Sequence, residues 1–131
     1  MSSFIDTHRS DSIPPTRNAY GLTARDMNTL HSILAAQEVV TRVYLYGSRA
    51  KGNYHTGSDI DLAIMNEGVS SLLIARMLGV FEESSLPYFV DLLDFTKLPE
   101  GGMRSEIMRT GVLLYEREPL ASVSDVALEN R

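Results

Sequence analysis

Residues 46–65 read YGSRAKGNYHTGSDIDLAIM, and the fold turns on how this stretch is interpreted. Its last part, DIDLAIM, alternates carboxylates with aliphatic side chains. In a strand, residues i and i+2 share a face, roughly 6–7 Å apart. Asp59 and Asp61 therefore lie on one face, while Ile60, Leu62 and Ile64 lie on the other and can fill a core. Two unpaired carboxylates side by side repel each other and lose solvation, so alone they destabilise. A divalent cation removes the conflict, and Mg2+ typically takes one or two carboxylates together with substrate phosphates. The upstream half supplies the phosphate side. Gly47 lets the backbone turn closely, and Ser48 offers a hydroxyl and an N–H at the start of a turn, where anions bind. Asp-x-Asp by itself is a weak signal, most often a solvated strand end or a cap. Gly-Ser, ten residues, then Asp-Ile-Asp between two strands is far more specific. It points to a metal-phosphate site.

The flanking sequence supplies the rest of a sheet. TRVYLY (41–46) is β-branched and aromatic and reads as the strand leading into Gly47, with SRAKG a turn or short helix. Upstream, Thr23 and Asp26 have capping-box spacing, and Met27, Leu30 and Leu34 recur at helical period to about residue 37. Downstream, residues 70–83 read as a helix, 87–95 as a third strand, 103–110 as a short helix with Gly111 as its C-cap, and 112–117 as a last strand. This order predicts an α+β domain, a mixed sheet with helices packed on it, over residues 21–117. Residues 1–20 read as a loose arm and 118–131 as a tail or partner-binding segment.

Composition bounds the function. A chain of 131 residues with 44% hydrophobic and 22% charged residues reads as one globular domain. It has no cysteine, which excludes thiolate metal sites and a Cys nucleophile. No apolar run approaches the ~18 residues of a membrane span, and a cytoplasmic location is expected. A net charge of −5 argues against direct nucleic-acid binding.

Gly47, Ser48, Asp59 and Asp61 resemble the signature of the nucleotidyltransferases of the DNA polymerase β superfamily, and LYGSRAKGNYHTGSDIDLAI is similar to its minimal nucleotidyltransferases. The resemblance runs from about residue 23 to 117. It implies a mixed sheet with helices mainly on one face and Mg2+-dependent transfer of a nucleoside monophosphate, with ATP as donor. It also implies a third carboxylate on a later strand, for which Asp91 is the match and Asp94 the alternative. Asp59, Asp61 and Asp91 would hold two Mg2+ ions, Gly47 and Ser48 would grip the triphosphate, and Asp91 would act as general base. Arg49 and Lys51 either add positive charge near the phosphates or form a solvated turn, and Ser58 either touches phosphate or caps its loop. His55 is at most a substrate contact, His31 a helix-surface residue, and Tyr44 and Tyr46 packing residues.

The acceptor is not legible in the residues. Stand-alone minimal nucleotidyltransferases resemble antitoxins that silence a helical HEPN-domain toxin, an RNase, by adenylylating a tyrosine, so a HEPN partner is the first expectation. An antitoxin acting by binding alone, or an enzyme modifying a small molecule, are the alternatives.

Overall fold

Thr23 opens the first helix with a reciprocal capping box. Its hydroxyl accepts from the Asp26 N–H, and its own N–H donates to Asp26 Oδ2, both at 3.0 Å. The computed structural model describes residues 15–118, so residues 1–14 of the expected arm and 119–131 of the expected tail lie outside the described residues. After α1 (Ala24–Ala35) come β1 (Arg42–Tyr46), the one-turn α2 (Gly47–Lys51), β2 (Ile60–Ile64) and α3 (Ser71–Glu82). Then follow β3 (Val90–Asp94), a 3-10 turn (Phe95–Lys97), α4 (Gly102–Thr110) and β4 (Val112–Glu116).

The four strands form one mixed sheet in the order β3-β2-β1-β4. β1 is antiparallel to both neighbours, and β2 and β3 run parallel, joined by α3 as the crossover. The predicted α+β fold is what the chain adopts. Leu30 and Leu34 of α1 and Met77 and Phe81 of α3 pack on the face formed by Val43, Leu45, Ile60, Leu62, Ile64 and Leu92. Ile60, Leu62 and Ile64 are wholly buried, and each such side chain contributes roughly 1.5–3 kcal/mol. That burial fixes the register of β2, because a one-residue slip would drive the carboxylates into the core. On the opposite face a smaller cluster of Tyr46, Ala63, Phe95 and Ile107 seats α4.

Three sequence expectations are refined. Asp59 precedes β2 rather than opening it, and β3 starts at Val90 rather than residue 87. Pairing nevertheless begins just before β3, with Ile60 N–H donating to Phe89 O at 2.8 Å. Residues 15–20, read as part of a loose arm, form a built turn. Asn18 Oδ1 accepts from the N–H groups of Tyr20 and Leu22, and Arg17 donates to Gly21 O at 3.0 Å.

Candidate active site

β1 ends at Tyr46, and the chain turns at once into α2 through Gly47 at φ +77°. Tyr46 stands opposite Asp61 in the β1–β2 register, and Asp61 stands opposite Asp91 in the β2–β3 register. One row across the sheet therefore carries Tyr46, Asp61 and Asp91 on the face away from the main core. A Cβ built on Gly47 would overlap Asp61 Oδ2, with Asp61 Cγ only 3.2 Å away. The carboxylate of Asp61 thus lies in the hollow that only glycine leaves open.

The electrostatics of this row follow from its geometry. Burial pushes the Asp61 carboxyl above the usual carboxylate range, and the negative charges of Asp91 and then Asp59 push it further, against an opposing pull from Arg49. Burial, followed by the charges of Asp91 and Asp61, also drives the Tyr46 phenol well above its ordinary value, so Tyr46 stays protonated. Asp59 and Asp91 are exposed and Asp61 is part-buried. Among the described residues no three acidic or imidazole side chains close into a ready cation cage. The donor set still fits Mg2+: hard carboxylate oxygens, one of them held under like-charge strain that a cation relieves, beside a glycine hollow.

Residues 28–120 match the family described as Polymerase beta, Nucleotidyltransferase. The chain belongs to that nucleotidyltransferase family. It is also 40% identical, over 77 residues, to the "Probable protein adenylyltransferase MntA" of Haemophilus influenzae (strain ATCC 51907 / DSM 11121 / KW20 / Rd), covering 58% of this chain and 67% of that protein. The fold resembles that in a crystal structure of a toxin-antitoxin with AMP-PNP (TM-score 0.59, 21% identity, 80% of this chain and 87% of the other). It likewise resembles that in a mutant toxin-antitoxin MntA-HpeT (TM-score 0.57, 18% identity, 79% and 86%).

Within this nucleotidyltransferase the remaining expected site residues separate. Ser48 sits in the first turn of α2, part-exposed beside Gly47, and its carbonyl accepts from the N–H groups of Gly52 and Asn53. Lys51 pairs with Glu106 at 2.7 Å, tying α2 to α4, and that bond holds the Glu106 carboxyl below its usual range. The Arg49 side chain does not lie in a solvated turn: it is 2% exposed and donates to the carbonyls of Ser58 and Tyr20, while its charge still pulls on Asp61. Ser58 caps its loop, its buried hydroxyl accepting from the His55 N–H at 2.9 Å. Asp94 is likewise a cap, accepting from Thr96 N–H at 2.9 Å and Thr96 Oγ1 at 2.6 Å. Asp91 is the carboxylate level with Asp61.

Sequence reasoning missed Tyr46 as a neighbour of the carboxylates, though its position directly before Gly47 was a usable signal. It also missed Tyr54 and Tyr88, which flank Arg49. No spacing rule finds these, because three separate segments bring them together. His31 is engaged elsewhere, its Nε2 lying 2.7 Å from Leu114 O.

Proposed function

We propose that this nucleotidyltransferase is an adenylyltransferase antitoxin that moves AMP from ATP to a tyrosine of a helical HEPN-type toxin. One observation carries the reading: Asp61 is wedged against Gly47 and level with Asp91, while Asp59 and Asp91 stay open to solvent. Such an open row can be approached by a side chain presented on another protein. The resemblance to a protein named as an adenylyltransferase, and the shared fold with toxin-antitoxin structures, support the same assignment.

Asp59, Asp61 and Asp91 would hold two Mg2+ ions. When bound, these ions offset negative charge on the phosphates and the carboxylates and favour in-line displacement. The chain's own groups do the rest. Gly47 and Ser48 orient the triphosphate through backbone N–H and hydroxyl, with Lys51 able to swing from Glu106 towards it. Asp91 accepts the proton of the acceptor hydroxyl. The new O–P bond forms at the α-phosphorus as the α–β anhydride bond breaks, and pyrophosphate departs. Tyr46, held protonated, keeps an O–H that can donate a hydrogen bond to the row.

The test is incubation with α-labelled ATP, Mg2+ and the protein encoded beside this one. Labelled partner, with one or more AMP units on a tyrosine, is expected. Asp91→Ala should stop labelling and keep the complex. A partner that is bound and silenced but never labelled would favour an antitoxin that acts by binding alone.

A further inference from the structure

Arg49 is a buried cation whose acceptors are backbone carbonyls. Nε and Nη2 both donate to Ser58 O, at 3.1 and 2.8 Å, and Nη1 donates to Tyr20 O at 2.8 Å. The guanidinium carbon lies 4.4 Å from the Tyr88 ring centroid and 5.2 Å from that of Tyr54. Arg17 donates to the Tyr88 hydroxyl at 3.0 Å, fixing that ring in turn. Gly21 completes the enclosure, since a Cβ there would meet the Tyr54 ring and stand 2.9 Å from Arg49 Nη1.

Burying a cation costs several kcal/mol unless its geometry is well satisfied. A site that needed only filling would take an apolar side chain instead. What the guanidinium adds is direction: two parallel donors hold one carbonyl, and its plane stacks on rings, which a lysine ammonium cannot reproduce. Both gripped segments lead to the acidic row. Ser58 immediately precedes Asp59, and Tyr88 lies three residues before Asp91. Arg49 itself lies in the same turn of α2 as Gly47 and Ser48, directly after Ser48 in sequence.

We propose that Arg49 is a positioning residue of the transfer site, holding the loop that delivers Asp59 and the segment that delivers Asp91 in fixed relation to the phosphate turn. The inference rests on the assignment of these carboxylates as ligands of the metal–nucleotide complex. Arg49 acts through its contacts to Ser58 and Tyr88.

The test uses the full chain, with Mn2+ as probe. Mn2+ affinity in the presence of ATP is measured by electron paramagnetic resonance for wild type, Arg49→Lys and Tyr88→Leu, with circular dichroism and melting followed alongside. Arg49→Lys should keep a native spectrum and a cooperative melt yet lose roughly 10–100-fold in Mn2+ affinity, as loss of a ligand-orienting partner does. Tyr88→Leu, which keeps the bonds to Ser58, should lose less and decides the matter if Arg49→Lys does not fold. Folded Arg49→Lys with wild-type Mn2+ affinity overturns the proposal, as does an unaltered affinity in Tyr88→Leu when Arg49→Lys does not fold. Failure of the wild type itself to bind Mn2+ with ATP removes the ligand assignment, and this proposal with it. A loss confined to the variants leaves that assignment standing.

Discussion

Asp61 bears a charge that the fold penalises. Its folded pKa is raised, by burial first and then by Asp91 and Asp59. A carboxyl with a raised folded pKa binds its proton more tightly in the folded state. Its cost is therefore absent at pH below the unfolded value and grows as pH rises from there through the folded value. Without divalent cation, Asp61→Asn should melt a few degrees above wild type at pH 7, and the gap should close as the pH falls towards the carboxylate range. A lower melting temperature for Asp61→Asn at pH 7 would contradict this electrostatic account. Gly47 is coupled to the same atom. Its positive φ costs an L-residue roughly 1–2 kcal/mol, and the added Cβ collides with the Asp61 carboxylate. Gly47→Ala should thus destabilise wild type by more than it destabilises an Asp61→Ala background. A double-mutant cycle measures the difference, which should exceed the ~0.3–0.5 kcal/mol scatter of independent sites.

At the level of elements, glycine and proline punctuation together with hydrophobic period made β1, β2, α1, α3 and β4 legible, because each buries one face and the pattern repeats it. Boundaries were less legible where tertiary contacts set them. β3 runs from Val90, where its register with β2 starts at Ile60, and the apolar run from residue 87 could not reveal this. In the candidate site, the closeness of the Gly47 turn to Asp59 and Asp61 was readable since these residues are local in sequence. The role of Arg49 was not, because its partners Tyr20, Ser58 and Tyr88 come from different segments. Gly111 is instructive in the same way. The expected C-cap is present, yet its φ of −69° needs no glycine. Space decides instead: a Cβ there would lie 2.5 Å from Ile107 O and 3.1 Å from the Tyr44 ring. Gly111→Ala should therefore shift the α4–β4 junction and cost ~1–3 kcal/mol, the range of overpacking. Urea unfolding at equal m-value checks it, and an unchanged midpoint would show that the junction relaxes freely.

For the molecule as a whole, the carboxylate row and the turn at Gly47 come from three strands and one short helix, so ligand binding there should be felt by global stability. A ligand held only by the folded state adds RT ln(1 + [L]/Kd), about 2.7 kcal/mol at a hundredfold excess over Kd. Mg2+ with ATP should therefore raise the melting temperature by several degrees, and chelation of the metal should return it to the nucleotide-free value. On the proposed assignment the gain has two sources: contacts to the phosphates at Gly47 and Ser48, and relief of the repulsion that Asp91 and Asp59 exert on Asp61. Asp61→Asn removes the repulsion beforehand, so that variant should start higher and gain little. Asp59→Asn removes a proposed ligand whose side chain is exposed, so it should start near wild type and also gain little. These two starting points distinguish ligand loss from a general weakening of the fold, which would lower both. Equal stabilisation of wild type and both variants by Mg2+ and ATP would move the nucleotide away from this row of the sheet.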